Sequence, residues 1–333
     1  MIEIKSELGL MSKLVADYKA SAERLAEFAK RHTGFDNLDG AGKFADSPPG
    51  RGKGQLQIFY PAIYALGGVS SCGKTTFTLQ LLYQLAELGV PSLFVSYEMS
   101  PLALLIKLVA HILYRKQPAD KKVNALSSSD ILREGRGNDY VKATLEEIAA
   151  EIKLLRIVGG AGWEVGELDK ELRNFCAGCE IAPVIAIDYL QLVPDNRFKE
   201  AKPRIDNMLV DLRKLQTETN ATLILLSAFN RSSELRDGAT LSSFKESGAI
   251  EYTADVVWAL EPARKNDDEA ASAADKRMRK ETIRGMQLRC LKNREGALYD
   301  AYFHYHAAND TFEACTEFEV LQAPEESKPL ELD

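Results

Sequence analysis

Gly68-Val-Ser-Ser-Cys-Gly-Lys-Thr75 is the stretch on which the reading of the chain turns. It matches G-x-x-x-x-G-K-[ST] at every fixed position. Before it, Ala62-Ile-Tyr-Ala-Leu66 is short and apolar, as a buried strand is. After it, Phe77, Leu81, Leu85 and Leu88 recur at helical spacing. In that order, backbone N–H groups and a helix N-terminus can surround a phosphate. The expected nucleotide contacts are Gly68, Ser70, Ser71, Cys72, Gly73, Lys74, Thr75 and Thr76. Lys74 would reach the β- and γ-phosphates of ATP, and the Thr75 hydroxyl would ligate Mg²⁺.

Further along, Ser92-Leu-Phe-Val-Ser96, Val184-Ile-Ala-Ile-Asp188, Thr222-Leu-Ile-Leu-Leu-Ser227 and Val256-Val-Trp-Ala-Leu260 are apolar enough for core strands. Helical patterns alternate with them, the clearest being Ile205, Met208, Leu209, Leu212 and Leu215. The alternation predicts an α/β fold: a mostly parallel twisted sheet flanked by helices, with the ligand at the strands' C-terminal ends. Gly285 to Phe303 adds a C-terminal β-hairpin around Lys292-Asn-Arg-Glu-Gly296. Asp188 closes a hydrophobic strand and would hold Mg²⁺ through water. Tyr189, not a glutamate, follows it, so Glu98 becomes the candidate general base, just past Ser96. A carboxylate serving only the start of the next helix is the alternative there. Lys292 and Arg294 alternate and point the same way on extended backbone; spacing alone makes them a solvated turn.

With 333 residues, the chain suits one large domain with additions: an amphipathic leader helix over 1–32, a main domain over 33–318 and an acidic disordered tail over 319–333. Within the main domain, 40–54 reads as a mobile loop and 262–282 as an exposed insertion. A net charge of −7 excludes a globally basic nucleic-acid coat and leaves only a local patch. No apolar run approaches membrane-spanning length, so a cytoplasmic location is expected. Five cysteines are an odd number, and Cys176 and Cys179 lack the second close pair that a zinc site needs. Ordinary thiols are expected.

From Thr33 to Phe312 the chain resembles the C-terminal ATPase domain of DnaB-like replicative helicases, a branch of the RecA-like fold, in the standalone or primase-linked form of phages and mobile elements. The segments that carry the resemblance are Thr33-Gly-Phe-Asp-Asn-Leu-Asp39, Gly73-Lys-Thr-Thr76, Ser96-Tyr-Glu-Met99, Ile187-Asp-Tyr-Leu-Gln-Leu192, Leu226-Ser-Ala-Phe-Asn-Arg-Ser232, Phe244-Lys-Glu-Ser-Gly-Ala-Ile-Glu251 with Ala254-Asp255, and Lys292-Asn-Arg-Glu-Gly296. The resemblance implies a helicase acting as a ring, six subunits in all, on single-stranded DNA. Lys74, Thr75, Glu98 and Asp188 of one subunit would meet Lys292 and Arg294 of its neighbour. Loops facing the channel would supply Arg197, Lys199, Lys202 and Arg204, from the polar loop 195–204, together with the stretch 232–245, to DNA phosphates. A primase or loader protein is the further partner implied. Many family members carry glutamine where this chain has Ala228, and a helical collar where it has about 32 residues. These departures leave a nucleotide-switched loader that unwinds nothing as one alternative; a RecA-like recombination ATPase that coats DNA as a filament is another, over which the Lys292/Arg294 turn favours a closed ring.

Overall fold

The computed structural model describes residues 32–39, 61–134, 138–229, 238–244, 247–264 and 279–320, with isolated positions at 15, 273, 274, 276 and 322. The expected leader helix, apart from Val15 and His32, the loop 40–54 and nearly all of the tail lie outside the described residues.

In chain order the elements are β1 (Ile63–Gly68), α1 (Lys74–Glu87), β2 (Ser92–Ser96), α2 (Pro101–Lys116), α3 (Ser128–Glu134), α4 (Asp139–Glu151), β3 (Leu155–Gly159), α5 (Val165–Ala177), β4 (Val184–Asp188), α6 (Ala201–Thr219), β5 (Thr222–Ala228), α7 (Ser247–Thr253), β6 (Val256–Pro262), β7 (Ile283–Asn293), β8 (Asp300–His306) and β9 (Thr311–Cys315). Among the described residues these strands form one sheet of order β3-β2-β4-β5-β1-β6-β7-β8-β9. Neighbours from β3 to β6 pair in parallel, and β7, β8 and β9 follow as an antiparallel extension. The fold is the expected α/β architecture.

A central strand buried on both faces should be apolar throughout. β1 is: Tyr64 and Leu66 pack on one face with Phe77, Leu81 and Leu85 of α1. Ile63 and Ala65 pack on the other with Leu209, Leu212 and Leu215 of α6. Each such side chain contributes roughly 1.5–3 kcal/mol on burial, and this double cover fixes where β1 ends and the glycine loop begins. The segment starting at Thr33 belongs to the same body. Asp39 accepts hydrogen bonds from the backbone N–H groups of Thr33 (2.7 Å) and Gly34 (3.0 Å), and the Phe35 ring stacks on Phe77.

Four boundaries differ from expectation. The C-terminal hairpin gains a third strand, β9, whose Phe312 packs between Phe77 and Tyr305. Gln80 of α1 pairs with the Phe312 backbone as another strand would, donating to its carbonyl at 2.9 Å and accepting from its N–H at 2.8 Å. The loop 195–204 is shorter, because α6 begins at Ala201 and admits Pro203 within its first turn, where a missing N–H costs nothing. Pro262 completes β6, and Ala263 and Ala274 are buried, so the segment 262–282 is not exposed at those positions; most of it lies outside the described residues. The tail begins later than 319, since Glu317–Val320 is a helical turn with Val320 buried.

Candidate nucleotide site

Between β1 and α1 the chain turns through Ser71 (φ 65°) and Gly73 (φ 96°), both in the left-handed region. A side chain at Gly68 would meet the Leu260 carbonyl at 2.6 Å, and one at Gly73 would meet the Phe312 ring at 2.8 Å. Glycine is therefore required at both ends of the loop. Gly73 is also the N-cap of α1, with no side chain to satisfy the first-turn amides. Those N–H groups and the helix dipole favour an anion there. Lys74 donates from Nζ to the carbonyls of Gly68 (2.9 Å) and Val69 (3.1 Å), so its charge lies against the loop itself. Ser70 and Ser71 are exposed, while Cys72 is buried in the core. The buried Thr76 hydroxyl turns away to Asp310, 3.2 Å from it. Cys72 and Thr76 can thus offer an anion their backbone N–H groups only.

The register of β2 and β4 sets Ser96 beside Asp188. β4 is thereby brought to the loop's edge, where Thr75 donates from Oγ1 to Asp188 Oδ2 at 2.7 Å. Asp188 is 1% exposed. Burial pushes its carboxyl up to about 6; the charge of Glu98 adds to the rise, and the Thr75 hydrogen bond and Lys74 oppose it. Glu98 itself is exposed, two residues beyond Ser96. Ser100 rather than Glu98 caps α2, accepting from the Ala103 N–H at 3.2 Å. The structure brings Lys74, Thr75, Asp188 and Glu98 to one place.

Lys292 and Arg294 lie elsewhere. Lys292 donates to the carbonyls of Glu251 and Ala254, and Arg294 to that of Tyr252 at 2.8 Å. Burial, reinforced by Arg294, lowers the Lys292 pKa. Arg294 also pairs with Asp255 (3.1 Å), which holds Arg213 (2.8 Å) and accepts from the Ile63 N–H (2.9 Å). Asp255 stands in the resemblance segments but acquires its role only here, because its partners come from three separate stretches. Its position places the cationic pair at the start of β1, five residues and about 16 Å along the strand from Gly68. No side chain spans that gap. Exposed Tyr252 (80%) and Val210 (65%) adjoin Arg294.

The four cations proposed for DNA divide. Arg197 is paired with Asp195 (2.8 Å) and Asp211 (3.4 Å). Arg204 is half-buried and donates to the Gln191 carbonyl at 3.0 Å. Lys199 and Lys202 are exposed. Of the stretch 232–245, residues 238–244 are described, and 232–237 and 245 lie outside the described residues. Two arginines that the sequence reading passed over approach the phosphate loop: Arg279 donates to the Ser70 carbonyl at 3.2 Å and Arg284 to that of Ser71 at 3.5 Å. Their positions in a charged stretch and on a strand gave no spacing signal. Cys176 and Cys179 are free and half-buried, and burial raises both thiols.

A mostly parallel sheet with a glycine loop at one strand end and an acidic strand end beside it is the arrangement of a RecA-like fold. The chain belongs to the family described as DnaB-like helicase C terminal domain, whose profile matches residues 58–314. It is 24% identical, over 329 residues and 93% of its length, to a protein named "Probable plasmid replicative DNA helicase" from Chlamydia trachomatis. The chain spans 60% of that relative's length. Among solved structures, the ATPase domain of G40P superposes with TM-score 0.69 at 19% identity, covering 92% of this chain and 99% of that one. A DnaB-like replicative helicase, from a study of its interactions with primase, gives 0.62 at 21%, over 76% of this chain and 57% of that one. A KaiC-like protein from Pyrococcus horikoshii gives 0.53 at 17%, over 86% and 97%. No helix among the described residues is long and apolar enough to cross a membrane.

Proposed function

We propose that the chain is the ATP-hydrolysing motor of a replicative helicase, moving on single-stranded DNA as a ring, expected to be a hexamer, with each catalytic centre shared by two subunits. The carrying observation is the separation within one chain of the phosphate loop from Lys292 and Arg294. A cationic pair that cannot reach its own nucleotide is free to complete a neighbour's.

Phosphates fit the loop's uncapped amides and Lys74. Magnesium fits as well, because the oxygen donors Thr75 and Asp188 are adjacent and Asp188 carries a charge whose burial a cation would offset. Bound with ATP, the ion would neutralise charge on the β- and γ-phosphate oxygens. In this reading Lys74 orients the terminal phosphates and Glu98 accepts the proton of the attacking water. Arg294 and Lys292 from the adjoining subunit offset charge on the departing phosphoryl group, a contribution of about 10³–10⁵ in rate for such fingers. Lys199 and Lys202 supply sequence-independent contacts to the DNA backbone. A primase or loader protein is the expected protein partner.

Lys74→Ala should abolish hydrolysis, whereas Arg294→Ala should still bind ATP. Mixing the two inactive variants should restore part of the turnover, since each supplies what the other lacks. No recovery in oligomers shown to be mixed removes the shared centre. A second reading, a nucleotide-switched loader, is favoured by Ala228: it sits beside Gly68 in the β1–β5 register and has no polar side chain to sense a phosphate. Strand displacement on a forked substrate selects the motor. Turnover stimulated by a protein partner and not by DNA selects the loader.

A further inference from the structure

The segment Ser96-Tyr-Glu-Met99 leaves β2 at the edge of the nucleotide site, and its backbone is held at each step. Ser96 Oγ accepts the Met99 N–H at 2.9 Å and closes a turn around Tyr97 and Glu98. The Tyr97 N–H donates to the Asp188 carbonyl at 2.6 Å, and the Ser96 carbonyl accepts from the Gly160 N–H at 2.7 Å. The turn is thereby tied to the ends of both neighbouring strands, β3 and β4. The exposed carboxylate of Glu98 is held differently: among the described residues none makes a hydrogen bond or ion pair with it. The aim of such a side chain comes from its backbone.

Tyr97 fixes that backbone from the opposite face. Side chains alternate across a strand. Leu93, Val95 and Tyr97 pack with Leu168 of α5 and Leu209 of α6, whereas Phe94 packs with Phe77 and Leu81 of α1. Carried two residues past Ser96, the same alternation gives Glu98 the face that bears α1. The Tyr97 ring sits on Gly160, which is buried; a Cβ there would lie 2.6 Å from Cε2 and Cζ of the ring. Gly160 also opens a turn that the Trp163 N–H closes on its carbonyl at 2.9 Å. The Tyr97 hydroxyl donates to the Trp163 carbonyl in a long bond of 3.4 Å. Ring and hydroxyl thus engage both ends of one turn.

We propose that Tyr97 is a positioning residue for Glu98: its ring, seated on Gly160, fixes the direction from which the carboxylate meets the attacking water. The inference rests on the reading of Glu98 as general base given above.

The test is steady-state ATP hydrolysis by the full chain, with binding of a fluorescent ATP analogue measured alongside. Tyr97→Ala should lower kcat roughly 10–100-fold, the cost of a misplaced catalytic group, and leave analogue affinity within about twofold. Tyr97→Phe keeps the ring and should retain most of the turnover. Gly160→Ala pushes an intact ring off its seat and should lower kcat to a similar degree; it carries the test if Tyr97→Ala does not fold. Glu98→Gln supplies a background without the base. There, Tyr97→Ala should change kcat by less than about twofold, because residues acting as one unit do not add. An equal fall in both backgrounds would show that Tyr97 serves the fold and not Glu98, and overturns the proposal. Full turnover in Tyr97→Ala, or a loss that comes with lost analogue binding, does the same. If Glu98→Gln itself hydrolyses ATP at the unmodified rate, the reading of Glu98 as base fails and the proposal fails with it.

Discussion

At Asp188 a carboxyl that accepts a hydrogen bond from Thr75 is almost wholly buried, and its pKa rises to about 6. The sign of the consequence is fixed. Stability from a group whose pKa is raised on folding is fully present below the unfolded value, near 4, and is lost as pH climbs through about 6. Asp188→Asn has no charge to bury and still offers Thr75 an acceptor. Without nucleotide it should be more stable than the unmodified protein at pH 8, by about 3 kcal/mol. That gain should vanish at pH 4, as urea denaturation at the two values would reveal. The same variant should bind nucleotide with magnesium poorly. Asp188 was legible because a run of four apolar residues ends on it. The seat of Tyr97 on Gly160 was not, since only the pairing of β2 with β3 makes the two neighbours.

Helix α6 sorts the cations near its start. Lys199 and Lys202 face solvent, whereas Arg204 turns inward to a backbone carbonyl. Replacing both lysines with glutamine should leave stability within about 0.5 kcal/mol. It should weaken oligo-dT binding and flatten its log–log salt dependence by about 1.4, at roughly 0.7 per phosphate contact on a single strand. Arg204→Met should instead cost about 1–2 kcal/mol in urea unfolding, because it strips a donor from a half-buried acceptor. An unchanged salt slope in the double variant would take α6 out of the DNA path. Elements declared themselves where apolar runs were abrupt: β2 and β4 have the bounds that Ser92-Leu-Phe-Val-Ser96 and Val184-Ile-Ala-Ile-Asp188 suggest. β9 was not legible, because Thr-Phe-Glu-Ala-Cys is short and its burial comes from Phe77 and Gln80, more than 200 residues upstream. The start of α6 was misread because a charged run with a proline resembles a loop unless the proline falls in a first turn.

For the molecule as a whole, the parallel order of β1, β5 and β6 puts the phosphate loop at one end of the sheet and the Asp255–Arg294 cluster at the other. Alternating strands and helices made that sheet predictable, and the glycine loop marked the end where β1 meets α1. The distance from that end to Arg294 was not predictable, because it depends on which way β7 runs. If hydrolysis needs both ends, specific activity should fall steeply as the protein is diluted, while binding of a fluorescent ATP analogue stays constant. Activity proportional to concentration down to the monomer would leave only a nucleotide pocket. The two ends also limit what kind of assembly can form through them. A surface that complements a different surface on the same polypeptide cannot give a self-satisfied isologous pair; every added copy leaves one donor face and one acceptor face open until the chain of copies meets its own beginning. Any such assembly inherits a direction from the strands of its subunits, and a track threaded through it would be met in one orientation by every copy.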